Sequence, residues 1–206
     1  MTNAGTSNSC CNFWDNAECK GTEFCPPRCP RFVDKYGAPI VIRPYQPTDY
    51  DRLMGMYEDY ASEHRSLGVP PPPAKNLVEE WLDRLTERGQ NFVALDGNRI
   101  VGHAVYSPVD SEEPELAVFV HQDYHERGIG TELCKHVLAY AADEGYESIV
   151  LNVERRNKRA IHVFKKLGFE PTQNAGDEDR FDMIEMRLCL NTPRIEQLQL
   201  APYYRS

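Results

Sequence analysis

The sequence predicts a mixed α/β domain, on three observations. Residues 114–131 run from an unbroken apolar stretch, Leu116 to Val120, through a polar turn into a glycine-marked start of helical spacing. Other short apolar runs of strand length alternate with longer stretches whose apolar residues recur with a helical period. A chain of 206 residues with 41% hydrophobic content is also long and apolar enough to bury the core of one ordinary domain.

Residues 1–38 read as a Cys-rich N-terminal extension. Cys10, Cys11, Cys19, Cys25 and Cys29 crowd together with prolines at 26, 27 and 30, and no apolar period marks a core there. The first residues carry neither a basic region nor an apolar stretch, so a secretory leader is not expected. The expected compartment is the reducing cytoplasm, where structural disulfides are disfavoured. Two readings of the cysteines stay open. One is a thiolate site for zinc or another metal, held by Cys19, Cys25, Cys29 and one of the vicinal pair. Against it, the spacing Cys25-Pro-Pro-Arg-Cys29 is wider than a zinc-ribbon knuckle and no second knuckle follows. The other reading is a partly ordered extension whose thiols are free or packed on the domain.

Residues 39–190 carry the regular elements. Ile40 to Pro44 reads as a strand. Thr48-Asp49-Tyr50-Asp51 is a capping pattern, and Leu53, Met54 and Tyr57 follow at helical spacing. Four consecutive prolines, Pro70 to Pro73, make residues 66–75 an extended loop. A second helix fits residues 76–88, with Leu77, Val78, Trp81, Leu82 and Leu85 on one face and Gly89 at its end. Phe92 to Leu95, the turn Asp96-Gly97-Asn98 and Ile100 to Tyr106 make a hairpin. Leu116 to Val120 is too short for most helices and suits a strand buried on both faces. Leu133, Val137, Leu138 and Ala141 then space a helix that stops at Gly145. Ser148 to Val153 is another strand. Asn157 opens a helix whose face is Ala160, Ile161, Phe164 and Leu167, closed by Gly168. Ile184, Met186, Leu188 and Leu190 alternate as a last strand. Residues 191–206 form a tail to which no element is assigned.

The glycines Gly128 and Gly130 sit where a strand hands over to a helix. Free backbone N–H groups and the positive end of a helix dipole meet there, which suits an anion. Two glycine-loop chemistries are excluded. A Walker loop needs Gly-Lys-Ser/Thr, and this loop ends Gly-Ile-Gly-Thr. A dinucleotide fingerprint needs a third glycine where Leu133 stands, and an acid on the next strand that Ser148 to Val153 lacks.

What remains, His125-Glu126-Arg127-Gly128-Ile129-Gly130, resembles the acetyl-coenzyme A loop of the GNAT acyltransferase superfamily, Gln/Arg-x-x-Gly-x-Gly/Ala, with a departure at His125. The order β-α-α-β-β-β-α-β-α-β is also similar to that family. So are Ile42-Arg43-Pro44, Asp96 to Gly102, and Asn157-x-x-Ala160-x-x-x-Phe164-x-x-x-Gly168-Phe169. The resemblance implies a mostly antiparallel central sheet with helices on both faces, splayed between two central parallel strands, with a bulge in the strand at 115–120. It implies that acetyl-coenzyme A is the cosubstrate. The main chain of Val118, Phe119 and Val120 would line the pantetheine arm. The loop from Glu126 through Arg127, Gly128, Ile129 and Gly130 to Thr131 would cradle the pyrophosphate, and Asn157 would contact the coenzyme.

Acyl transfer to an amine needs the nitrogen neutral when it attacks. Glu115 opens the central strand, where many members of the family place a catalytic carboxylate. It also reads as an exposed strand-end acid beside Glu112 and Glu113. Asn152 stands across the splay, where one branch of the family has a glutamate. Phe164 occupies the position of a tyrosine that protonates the departing thiolate, and phenylalanine cannot donate. Water, Tyr106 or His103 are the substitutes. The expected activity is N-acetyl transfer by direct attack in a ternary complex, the acceptor being an amine-bearing small molecule, protein or peptide. Alternatives are a longer acyl group, an oxygen acceptor, or a sensor that binds acyl-coenzyme A without turnover. Residues 66–81 and the tail near Tyr203 and Tyr204 are expected to shape the acceptor pocket. A formal net charge of −9 argues against nucleic acid, and no apolar run is long enough for a membrane span. A monomer or homodimer is expected.

Overall fold

The computed structural model describes residues 21–59, 75–172 and 182–199. Eight strands form one sheet: β1 (Arg31–Val33), β2 (Pro39–Pro44), β3 (Gln90–Asp96), β4 (Arg99–Ser107), β5 (Glu115–Val120), β6 (Ser148–Glu154), β7 (Glu170–Pro171) and β8 (Met183–Cys189). Their order is β1-β2-β3-β4-β5-β6-β8-β7, and every pair is antiparallel except β5 with β6. Among the described residues five α-helices cover it: α1 (Tyr50–Glu58), α2 (Lys75–Arg88), α3 (Ile129–Asp143), α4 (Lys158–Leu167) and α5 (Pro193–Gln199).

Two apolar layers hold the helices to opposite faces. Leu53, Met56 and Tyr57 of α1 and Val78 and Leu82 of α2 pack with Val93, Ile100 and Phe119 on one face. Leu133, Val137 and Leu138 of α3 and Phe164 and Leu167 of α4 pack with Ile42, Val101, Leu116 and Leu151 on the other. Strand alternation explains the split. On β5, Ala117 and Phe119 face the first layer, while Leu116, Val118 and Val120 face the second. Leu77, expected on the buried face of α2, is 42% exposed, whereas Val78 and Leu82 are buried.

The splay between the central strands is present, but it arises differently from the expectation. The β4–β5 register runs unbroken from Gly102↔Val120 to Ser107↔Glu115, so β5 carries no bulge. The register shift lies instead at Ala94/Leu95 in the β3–β4 pair. The strands β5 and β6 pair at a single register position, Glu115↔Val150, supported by the Val150 amide donating to the Pro114 carbonyl at 3.1 Å. Beyond that bridge no strand pairs with the β6-facing side of Leu116 to Val120 among the described residues.

Elements also occur outside the span to which the sequence assigns them. Strand β1 pairs with β2 through Arg31↔Val41, Phe32↔Ile40 and Val33↔Pro39, and Phe32 packs on the second layer. The segment before it lies along α3. Tyr140 Oη donates to the Phe24 carbonyl at 3.3 Å, a His136 ring nitrogen lies 3.2 Å from the Cys29 carbonyl, and buried Arg28 donates to Glu132. Arg28 also donates to the Leu198 carbonyl at 2.7 Å, which ties α5 into the same joint. The capping pattern differs from the prediction: a 3₁₀ turn, Pro47–Asp49, precedes α1, and its box is closed by Asp49 accepting the Gln46 amide at 2.8 Å, while Asp49 makes no side-chain cap to α1 and instead pairs with Arg43 and Arg52.

Candidate active site

The parted ends of β5 and β6, the turn after β5, and the first turns of α3 and α4 enclose one cleft of about 630 Å³. That is within the ordinary range for a cofactor-sized ligand. Glu115, Val118, Phe119, Val120, Glu126, Gly128, Ile129, Gly130, Thr131, Asn157 and Phe164 all line it. Residues far apart in sequence therefore meet in one place, as the motif reading expects.

The glycine end is built by backbone demands. Gly128 is the N-cap of α3 and sits at φ 93°, a left-handed conformation that side chains with a Cβ rarely adopt. It lets the chain turn from a short 3₁₀ segment, Gln122–Tyr124, directly into the helix. His125, at the position that departs from the family pattern, braces this turn. Its Nε2–H donates to the Val120 carbonyl at 2.8 Å, since that oxygen can only accept. Glu126 reaches across the mouth to Arg159 on α4, Oε1 to Nη1 at 2.6 Å. Asn157 caps α4, its Oδ1 accepting the Ala160 amide at 3.0 Å.

Arg127 is the predicted loop residue whose side chain does not line the cleft. Its guanidinium pairs with buried Asp34 and lies over the Tyr124 ring at 4.4 Å. Burial opposes ionisation of Asp34, but the Ala38 and Tyr36 amides together with Arg127 outweigh it and hold the carboxyl below its ordinary range.

At the other end, Asn152 Nδ2 donates to Glu115 Oε1 at 3.1 Å across the splay. Strand parity places Glu115 on the same side of β5 as Ala117 and Phe119, the side covered by α1 and α2. There Trp81 stands edge-on to Tyr57 and Phe119, with centroids 5.2 and 5.4 Å apart. Residues 66–74, Tyr203 and Tyr204, expected to help shape an acceptor pocket, lie outside the described residues.

Neither proposed substitute for the missing tyrosine reaches the cleft. His103 is fully buried between Tyr57 Oη, 2.6 Å from Nδ1, and Asn91 Oδ1, 2.9 Å from Nε2. Asn91 spends its Nδ2 hydrogens on the Leu85 and Gly89 carbonyls, which aims its oxygen at the ring. The ring is therefore held as the neutral Nε2–H tautomer, and burial lowers its pKa to about 3. Tyr106 is buried and donates to Glu144 at 2.7 Å, and burial with that carboxylate raises its pKa. Phe164 lines the cleft as a packing residue, with its ring 5.8 Å from that of Phe169.

Lys35, Tyr124, Arg159, His162 and Lys166 also line the cleft, although the sequence reading gave them no role. For three of them a signal exists: Arg159, His162 and Lys166 recur at i, i+3 and i+7 on the polar side of a strongly amphipathic helix. Of the proposed metal ligands, Cys19 lies outside the described residues. Cys25 and Cys29 are half-buried, and Cys25 Sγ lies 3.6 Å from Thr22 Oγ1. Among the described residues no group of three His, Cys, Asp or Glu side chains could hold a metal ion, so the metal reading finds no support there.

A model of the acetyltransferase (GNAT) family matches residues 53–169, more than half of the chain. An uncharacterised N-acetyltransferase of Mycobacterium tuberculosis (strain ATCC 25618 / H37Rv) is 30% identical over 135 residues, covering 60% of this chain and 84% of that one. An L-amino acid N-acyltransferase of Escherichia coli is 28% identical over 98 residues, covering 45% of this chain and 57% of its own. Among solved structures, the GNAT domain of S. lividans PAT superposes with a TM-score of 0.65 at 22% identity, covering 77% of this chain and 95% of that one.

Proposed function

Because the chain belongs to the acetyltransferase (GNAT) family, we propose that it moves the acetyl group of acetyl-coenzyme A to an amine by direct attack in a ternary complex. The observation that carries this reading is the cleft itself. It joins a glycine-marked helix N-terminus, suited to pyrophosphate, to a gap between parallel strands with a carboxylate at its apex. Coenzyme A would enter with its phosphates at Gly128 to Thr131. Its pantetheine arm would run beside Val118 to Val120 on the side where β6 has parted. Glu126, Gly130 and Asn157 would complete its walls.

The acceptor would approach from the face covered by α1 and α2. The amine nitrogen attacks the thioester carbonyl, a C–N bond forms, and the C–S bond breaks to release the coenzyme thiolate. Glu115, directly or through one water, takes the proton that the ammonium must lose. With Phe164 in place, water protonates the thiolate, whose conjugate acid has a pKa not far above neutrality, about 8.5. The amine-acting E. coli relative supports an amine acceptor, whether small molecule, peptide or protein. No helix among the described residues is long and apolar enough to cross a membrane.

The test is thiol release from acetyl-coenzyme A in the presence of a panel of peptides, polyamines and small amines. Release that depends on an amine, with mass increase of that amine by one acetyl group, is the expected result. Tight coenzyme binding without release across the panel would favour the sensor reading, which Phe164 in the acid position keeps in play. Release with propionyl- or longer acyl-coenzyme A alone would shift the acyl group.

A further inference from the structure

The turn between β1 and β2 precedes the family match, which starts at residue 53, yet it sits on the glycine loop. Asp34 accepts the Tyr36 and Ala38 amides at 2.9 Å each, and it pairs with Arg127. The Lys35 amide donates to the Arg127 carbonyl at 3.1 Å. The Arg127 guanidinium lies over two rings, 5.6 Å from the centroid of Tyr36 and 4.4 Å from that of Tyr124. These contacts fix the residues on both sides of Lys35 and its own backbone, while its side chain stays exposed. That side chain lines the cleft, and its Cε lies 4.0 Å from where a Cβ on Gly128 would stand. The side chain thus passes close to the N-cap of α3, where free helix amides already favour an anion.

Resting on the reading that coenzyme A fills this cleft, we propose that Lys35 is a phosphate ligand of the coenzyme, supplied by the β1–β2 turn and paired with the pyrophosphate. Arg127 then serves as a positioning residue: through Asp34 it docks the turn that carries the lysine. Arg159 and Lys166 of α4 also line the cleft, and Arg159 is already paired with Glu126 of the loop. The chemistry is a charge-assisted contact between an ammonium and a phosphate oxygen, added to the backbone cradle.

The experiment titrates the full chain with coenzyme A and with 3′-dephospho-coenzyme A, for the wild type, Lys35→Met, Lys35→Arg and the control Lys165→Met. Lys165 carries the same charge on α4 outside the cleft. Lys35→Met should weaken both ligands by the same factor, about tenfold, and flatten the dependence of Kd on salt. Lys35→Arg should stay within about threefold of the wild type, Lys165→Met should match it, and Tm should not move in any of them. Unchanged affinity in Lys35→Met, with a wild type that binds, overturns the proposal and leaves the functional reading intact. A loss seen with coenzyme A but absent with the 3′-dephospho form overturns the pyrophosphate assignment. A wild type that binds neither ligand sinks the functional reading first, and this proposal with it.

Discussion

Glu115 is held at the point where β5 and β6 last touch, with Asn152 donating to one of its oxygens. Glu115 also lines the cleft, where the proposed reaction assigns it the part of general base. Replacement by glutamine keeps the size and a hydrogen-bonding oxygen but removes basicity. Glu115→Gln should therefore lower turnover by ~10²-fold or more, in line with general-base contributions, while coenzyme affinity stays unchanged. The wild-type profile should show one main ascending limb with pH, because Phe164 supplies no second titrating group. Near-normal turnover and the same profile in the variant would reduce Glu115 to a strand-end acid. Glu154 is then the next residue to change, although it already pairs with Arg156. At this scale the sequence was legible wherever the backbone sets the requirement: glycines at a strand-to-helix turn announce themselves by type and spacing. Side chains that act through distant partners were not. Nothing local distinguishes Lys35 from any surface lysine, because its placement depends on Asp34 meeting Arg127 across the fold. His103 likewise reads as a strand histidine open to several roles until Tyr57 and Asn91 are seen to saturate its ring.

The element that joins everything is α3, whose N-terminus forms the loop and whose body carries the N-terminal segment. Gly130 has an ordinary φ, so a side chain there acts through contacts and not through backbone strain. A Cβ would lie 3.3 Å from Val120 Cγ2, on the strand that lines the cleft. Gly130→Val should weaken coenzyme binding tenfold or more, about 1.4 kcal/mol, by calorimetry. Gly128→Val should lose both affinity and Tm, because valine is strained at φ 93°. Unchanged affinity in both would remove the loop from the coenzyme site. Further along α3, Glu132, His136 and Tyr140 recur every fourth residue, and each meets the segment of residues 24–29. Burial opposes the charge of Glu132, but Arg28, Lys135 and His136 overcome it and hold its pKa at about 2. Arg28→Ala leaves that carboxylate buried with only Lys135 beside it, and should destabilise by about 3 kcal/mol in urea unfolding. A loss below about 0.5 kcal/mol would mean the segment is not part of the cooperative unit. The apolar spacing of Leu133, Val137, Leu138 and Ala141 made the core-facing side of α3 legible, but not the role of Glu132, His136 and Tyr140. The docking segment itself was hidden, because cysteines and prolines without periodicity give no core signal. Strand β1 has only three residues, too few to alternate.

Over the whole molecule, the two apolar layers were legible as a pattern because each depends only on period, whereas the hydrogen-bonded polar groups sealed beneath them were not. Those groups set how the fold responds to acid. His103 is fully buried and neutral with a pKa lowered to about 3, and His136, buried between α3 and the N-terminal segment, is lowered to about 4. In the unfolded chain both protonate near 6.5. Between that value and their folded values the unfolded state binds more protons, so stability rises with pH and falls as the solution is acidified. Each histidine contributes a slope that approaches about 1.4 kcal/mol per pH unit once the pH is well below 6.5. Asp34, Asp49 and Glu132 have lowered pKa values, so their stabilisation is present above the ordinary carboxylate range and is lost only below it. The window from pH 6.5 to about 5.5 is therefore governed mainly by the histidines. Urea midpoints measured across that window should fall steadily with pH. His103→Gln retains a side-chain donor toward Asn91 but cannot protonate; it should be less stable at pH 7 yet lose about one proton's worth of slope. Wild type and variant with the same slope would show that His103 is protonated in the folded protein, and that the Tyr57–His103–Asn91 chain is not the neutral, tautomer-fixed network its geometry describes.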